Sequence, residues 1–539
     1  MRFRCAVIIL IGLYFFCASA TDFAQTKAAG KTGAEHRAET AQAQHLGSVA
    51  FSTSCSSAVQ DQFNTAVAWL HSFQYASAKR AFEQVAEQDP HCAMAYWGEA
   101  MSIYYPIWNE PTQKTRKEGW DDIDKAKSLG AKTEREQEYI AAVEAFYRDP
   151  DKDDYDARTA AYARAMEQLY THYPQDHDAA AFYGLSLIAE EPPKDAPLVN
   201  RKKAGAILEK LFAEEPNHPG AAHYLIHAYD TPELAPMALE AARAYAKIAP
   251  ASAHALHMPS HIFSRLGFWQ ESIDSNLASA GVAAKAARLG EQGASYQLHA
   301  MDFLEYAYLQ TGQDQEAQSV IDDLDSAPKA TADEITDHRE YFVARYVLET
   351  HHWTEAARLK PEKGADASTT YWARAIGAAR IGDIVVARES LAKLKGGNSD
   401  MHSHKSSGGV GERSVQQLEA AAWVAFAEAK KDEALKTMRA AVERQEADRL
   451  EDLEMPAREV LGDMLLELQQ PAEALAAYEA ALKEAPNRFD SLYGAGRAAE
   501  LAGDTQKANS YYSKLIEQSI HADGRVPELQ QARVFLARK

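Results

Sequence analysis

Cysteine is scarce in this chain of 539 residues: there are four, and two of them, Cys5 and Cys17, lie in the first twenty positions. No two are spaced as CxxC, so thiol redox catalysis has no support in the sequence. Beyond residue 20 no window reaches eighteen apolar residues, which excludes an integral helical span from that point on. Catalytic signatures are missing too. There is no HExxH, no GxSxG, no Walker loop and no GxGxxG after a strand pattern, so the zincin, serine-hydrolase, NTPase and dinucleotide-binding readings fail. Positive charge is in deficit, with 57 Lys and Arg against 78 Asp and Glu and a net charge of −21. Such a surface repels phosphate backbones, and no basic stripe with interleaved aromatics offsets it, so nucleic acid is excluded as a partner. Glycine and proline are modest at 28 and 20. Alanine is abundant, and the balance favours helices.

The first twenty residues read as an export signal. Arg2 and Arg4 form a basic start, Ala6 to Phe16 an apolar core, and Ala18-Ser19-Ala20 a small-residue cleavage site. A retained anchor is the alternative; the bulky Phe15 and Phe16 argue against lipid attachment at Cys17. The expected location is therefore periplasmic or secreted. Removal of the signal leaves Cys55 and Cys92, which in an oxidising compartment can form a disulfide or remain two buried thiols.

Residues 21–47 lack apolar periodicity and read as a flexible leader. The rest is built on a repeat. In ALAAYEAALKEAPN, Ala474, Tyr478, Ala481 and Pro486 put a small residue, an aromatic and a small residue on one helix stripe that ends near a proline. The same spacing recurs at Ala78, Phe82, Val85 and Pro90, and at Tyr162, Met166, Leu169 and Pro174. It recurs again at Ala204, Leu208, Leu211 and Pro216, and at Ala238, Ala242, Tyr245 and Pro250. Without the proline it fits Ser272, Asn276 and Ser279, then Ala317, Ile321 and Leu324; Ala356, Ala387, Ala434 and Ala508 are further anchors. Steps from 204 to 238 to 272, and from 474 to 508, are each 34 residues. A second helix precedes each anchor, closed by a turn such as Gly267-Phe268-Trp269, Gly312-Gln313-Asp314, Gly382-Asp383 or Gly503-Asp504.

This helix–turn–helix unit resembles the tetratricopeptide repeat (TPR) over roughly residues 59–522. The resemblance implies an all-α TPR-type solenoid, a right-handed superhelix in which each unit buries its apolar face on its neighbours. The expected layout is a signal at 1–20, the leader at 21–47, an N-terminal array at 48–331, middle repeats at 332–392, a Gly/Ser/His loop at 393–414 and C-terminal repeats at 415–539. His402 and His404 in that loop read as solvated residues.

Repeat phase also sorts the histidines. HALHMPSHIFSRLG holds His254, His257 and His261, at 18, 15 and 11 residues before the anchor Ser272. HYLIHAYD holds His223, His227 and Asp230, at 15, 11 and 8 before Ala238. His299, Asp302 and Tyr306 precede Ala317, and His338, Tyr341 and Arg345 precede Ala356, both at 18, 15 and 11. Steps of three and four keep each set on one helix stripe. Stacked repeats would then line these residues along one groove that holds a ligand. Six of the 19 histidines fall between 223 and 299, all on that stripe.

Two chemistries suit the patch. His223, His227, His257, His261 and His299, with Asp302 or Asp230, offer nitrogen and carboxylate ligands for a divalent transition metal such as zinc or copper. Alternatively, the imidazoles with Tyr306, Tyr341 and Arg345 hydrogen-bond a protein, a peptide or an anionic small molecule. The plainest reading is histidines packed against one another. A metal-dependent hydrolase using the same cluster is the enzymatic alternative, although no general base is identified by motif. Pro259 is expected to bend or restart its helix. Further upstream, Trp97, Met101 and Tyr104 read as core, with Glu99, Trp108 and Asn109 near the groove; Met94 and Met101 are too few for a copper(I) methionine box.

The segments SCSSAVQDQFNTAVAWLHSFQYASAKRAFEQVAEQDPHCAMAYWGEAMS, HYLIHAYD and HALHMPSHIFSRLGFWQESIDSN resemble a family of exported bacterial TPR proteins. The human tetratricopeptide repeat protein 38 is a more distant resemblance. It implies fold and export, and no particular reaction. Its histidines and aspartates depart from the Lys, Arg and Asn of ordinary peptide-binding TPR grooves.

Overall fold

Helix follows helix along the chain, each pair folding back through a tight turn. The computed structural model describes residues 45–538 except 108–109, 153, 191, 193–195, 291–292, 363–366, 395–413 and 449–452. The signal, most of the leader, Trp108, Asn109, His402 and His404 lie outside the described residues. Among those described there is no β-strand, and no helix is long and apolar enough to cross a membrane. The architecture is an all-α TPR-type solenoid. The last leader residues are docked: His45 Nδ1 lies 3.0 Å from the Ile248 carbonyl, and Leu46 is buried.

The repeat anchors form the inter-helix seams. Ala78, Phe82 and Val85 on Tyr75–Gln88 are fully buried, as are Ala474, Tyr478 and Ala481 on Pro471–Glu484. Burying each such aromatic contributes roughly 2–3 kcal/mol. Small residues opposite make room for the rings: a Cβ on Gly494 would meet Tyr478 Cζ at 2.3 Å.

The turn inside several units uses a residue in the left-handed region, where glycine is unstrained. Gly267, Gly312, Gly382 and Gly503 supply it with φ of 68°, 70°, 81° and 80°. Phe73, His351, Ala429 and Gln469 occupy comparable turns with φ of 52°, 58°, 61° and 61°. Three apolar clusters run along the chain, from Phe51 to Phe263, from Trp269 to Phe342 with Leu453, and from Ala344 to Ala532. Distant repeats also touch. Trp269 Nε1 donates to the Asn487 carbonyl at 2.7 Å, and Tyr296 hydroxyl to the Phe73 carbonyl at 2.7 Å. Cys55 and Cys92 are disulfide-bonded, which ties the chain ahead of the first repeat to the start of Ala93–Met101. Trp97, Met101 and Tyr104 are buried in the first cluster.

Candidate functional site

The histidine stripe sits on the first helices of successive units. Pro219–Tyr229 carries His223 and His227; Pro219 opens it, and His218 Nδ1 accepts from the Ala221 N–H at 3.2 Å. The next unit splits at Pro259 into Ala253–His257, capped by Ser252, and Pro259–Leu266. The break leaves His254, His257 and His261 on one side. Ala294–Gln310 supplies His299.

Two groups of three imidazoles result. In the first, His223 Nε2 lies 3.0 Å from both His227 Nε2 and His254 Nε2. In the second, His257 Nε2 lies 3.0 Å from His261 Nε2, and the ligand atoms of these two and His299 all fall within 4.8 Å of one another. All but His299 are buried, and His299 is half-buried. They form an internal cluster rather than the wall of an open groove.

Hydrogen bonds on the far side of the rings set the tautomers. His223 Nδ1 donates to the His71 carbonyl at 2.6 Å, His257 Nδ1 to Asn276 Oδ1 at 2.7 Å, and His261 Nδ1 to Asp230 Oδ2 at 3.0 Å. Asn276 cannot present its amide nitrogen instead, because Nδ2 donates to the Ser272 carbonyl at 2.8 Å. With Nδ1–H committed, Nε2 carries the lone pair in the neutral ring. Burial keeps four of these rings neutral. It pulls His223 down to about 3, and burial plus the neighbouring imidazoles hold His227, His254 and His257 well below the ordinary histidine value. Asp230 moves the other way from a buried acid: burial pushes it up, yet Arg265 and His261 bring its carboxyl well below the usual range.

One phenylalanine covers each triad. The Phe73 ring centroid is 4.4, 5.5 and 5.6 Å from those of His223, His227 and His254. Phe303 stands 4.8, 4.7 and 5.4 Å from His257, His261 and His299. Phe73 reaches its place through its left-handed turn.

A third cluster looks similar in composition and differs in wiring. His71 Nε2 and His218 Nε2 both face Asp178 Oδ1, at 2.9 and 3.3 Å. Their Nδ1 atoms are occupied as well, by the Tyr224 hydroxyl at 3.1 Å and the Ala221 N–H at 3.2 Å. Both nitrogens of both rings are thus used internally. Burial lowers His71 to about 4 despite the carboxylate, while the two imidazoles hold Asp178 far below its usual range against its own burial. His71, Asp178 and His218 carried no repeat-phase signal, because they sit at helix ends rather than on the stripe.

The remaining expected groove residues go elsewhere. Asp302 accepts from Arg345 Nη2 at 2.6 Å, and Glu305 also pairs with Arg345. Tyr306 hydroxyl accepts from Arg488 Nη1 at 2.5 Å, and the Tyr341 ring lies 4.8 Å from the Arg345 guanidinium. His338 Nδ1 donates to the Glu334 carbonyl of its own helix at 2.7 Å. Arg488 further bridges Glu349 at 2.7 Å and Glu459 at 2.8 Å. Asp302, Tyr306, Tyr341 and Arg345 therefore join a buried arginine–carboxylate network, and Asp302 faces Arg345 instead of completing a histidine site.

Fold and side chains together define an all-helical repeat protein with buried histidine clusters. The family model described as tetratricopeptide repeat matches residues 419–488 and 459–523, so the C-terminal repeats are of the tetratricopeptide type. No curated protein matches it in sequence. Among solved structures, it is similar to a tetratricopeptide repeat protein from Parabacteroides merdae at 14% identity and TM-score 0.31, covering 53% of this chain and 99% of that one. The human IFIT1 dimer with m7Gppp-AAAA matches at 13% identity and TM-score 0.36, covering 84% and 95%.

Proposed function

We propose that the protein is an exported TPR scaffold that holds a divalent transition metal, zinc or copper, in its His223–His299 cluster and presents its repeats to a protein or peptide partner. The observation that carries the metal reading is the convergence of imidazole nitrogens in two buried triads, with the Nδ1 protons of His223, His257 and His261 committed to other partners. Between His257 and His261, both committed through Nδ1, the Nε2 lone pairs brought to 3.0 Å repel one another unless a proton or a cation lies between them, and burial disfavours the proton on His257. All-imidazole donors suit zinc or copper rather than calcium or magnesium. The export reading is supported by the Arg2-to-Ala20 pattern and by the Cys55–Cys92 disulfide, which persists in oxidising compartments. The partner reading rests on what TPR proteins generally do. Nothing among the described residues favours the hydrolytic alternative.

Elemental analysis of untagged protein recovered from the periplasmic fraction tests the reading. Near-stoichiometric zinc or copper is expected, lost in a His223→Ala/His257→Ala double variant of unchanged helicity. Metal-free protein that is folded and exported would overturn the metal reading. Cytoplasmic retention would overturn the export reading.

A further inference from the structure

We infer that the six histidines form two separate tri-histidine metal sites, one ion bound by His223, His227 and His254 and a second by His257, His261 and His299. The inference rests on the metal reading above and adds stoichiometry, ligand assignment and the role of the surrounding residues.

Three geometric facts separate the triads. Within each, the ligand atoms all lie within 4.8 Å of one another and the ring centroids stand 4.4 to 6.1 Å apart, while the His254–His257 and His227–His261 centroids of different triads stand 6.3 and 6.5 Å apart. A single ion with nitrogen ligands at about 2.0–2.1 Å spans one triad and not both. Each triad also has its own cover, Phe73 or Phe303, so each site has a separate low-dielectric wall. Finally, each has its own orienting contacts. The His71 carbonyl serves the first, and Asn276 and Asp230 the second.

Asp230 is then a positioning residue rather than a ligand. It holds His261 by Nδ1 and is itself gripped by Arg265 Nε at 3.1 Å, the carboxylate–histidine–metal arrangement that fixes ring orientation and raises ligand basicity. Three imidazoles leave one position of a tetrahedral ion for a non-protein ligand. Two dications among neutral imidazoles, with Arg265 also close to Asp230, favour a small anion such as hydroxide or chloride there. The third cluster is a built-in contrast. His71 and His218 spend their nitrogens on Asp178, Tyr224 and the Ala221 N–H, so this cluster takes no ion.

The ions would also fasten the repeats together. His223 and His227 come from one unit, His254, His257 and His261 from the next, and His299 from the third, so each ion bridges two neighbouring units. Loading should raise the melting temperature as any ligand selective for the native state does.

The test is zinc titration of chelator-stripped full-length protein, followed by desalting and elemental analysis. The wild type is expected to retain two zinc ions per chain, with a melting temperature that rises on loading. His254→Ala and His299→Ala should each retain one, and Asp230→Asn should retain two with the weaker affinity lowered 10- to 100-fold. His218→Gln should retain two. One zinc per wild-type chain, abolished by either His254→Ala or His299→Ala, would overturn the two-site inference while leaving the metal reading intact. No retained zinc would overturn both. The wild-type stoichiometry needs no substitution, so a variant that fails to fold leaves the inference testable.

Discussion

His257 and His261 face each other with Nε2 atoms 3.0 Å apart while both donate their Nδ1–H hydrogen bonds elsewhere, to Asn276 and Asp230. Two lone pairs held this way by buried neighbours make an arrangement that a cation stabilises. On the proposed metal reading, the neighbours would be as much part of the site as the ligands.

Asn276→Leu should therefore weaken the second site selectively. It removes the acceptor that fixes the His257 tautomer, and loss of such a partner costs 10- to 100-fold in metal affinity. Competition with a chromogenic chelator is expected to show one ion bound as in the wild type and one released earlier. Unchanged release of both ions would show that Asn276 does not orient His257.

Arg488 is fully buried between Glu349 and Glu459. Arg488→Met leaves two buried carboxylates without their cation, which destabilises by about 3–5 kcal/mol. The urea midpoint should fall accordingly, with the metal content of the triads unchanged. A loss below about 1 kcal/mol, as for an exposed pair, would mean that the network does not couple the middle and C-terminal repeats.

The repeat phase was readable because packing enforces it. Ala474, Tyr478 and Ala481, or Ala204, Leu208 and Leu211, are buried against the preceding helix, and only certain volumes fit there. Turns at Gly267 or Gly503 announced themselves, whereas those at Phe73, Ala429 and Gln469 did not, since residues with a Cβ rarely advertise a left-handed conformation. Equal offsets from the anchors identified the six histidines together. The same rule assigned Asp302, Tyr306 and Arg345 to one groove with them, and there it misled. One turn beyond His299, Asp302 comes within reach of Arg345 from the following repeat, and charge pairing decides its position. The His71–Asp178–His218 cluster was invisible because its members are separated by 107 and 40 residues and meet only through repeat stacking.

Glu419 is buried, accepts from Trp372 Nε1 at 3.1 Å, and is pushed up to about 8 by that burial. The unfolded carboxyl releases its proton near the ordinary value of 4.5, so between there and about 8 the unfolded state binds fewer protons than the folded one. Its contribution to stability is complete below the lower value and is lost as pH rises through the higher. Glu419→Gln should flatten this decline, by on the order of 4 kcal/mol between pH 5 and 8.5. Parallel stability curves for variant and wild type would contradict the assignment.

The Cys55–Cys92 bond closes a 37-residue separation. Chain entropy of that length corresponds to about 3–4 kcal/mol. A Cys55→Ser/Cys92→Ser variant should unfold its N-terminal repeats at lower urea, read by near-UV circular dichroism, while the C-terminal repeats hold. A midpoint unaltered throughout would show that the bond stabilises nothing that packing does not already secure.

The central claim is that imidazole nitrogens of the two triads hold the metal, and X-ray absorption at the metal edge tests it most directly. For zinc- or copper-loaded protein we predict a first shell of nitrogen or oxygen at about 2.0 Å, about three imidazoles per ion in the multiple-scattering pattern, and no sulfur. A shell of oxygens alone, or one without imidazole scattering, would contradict the account.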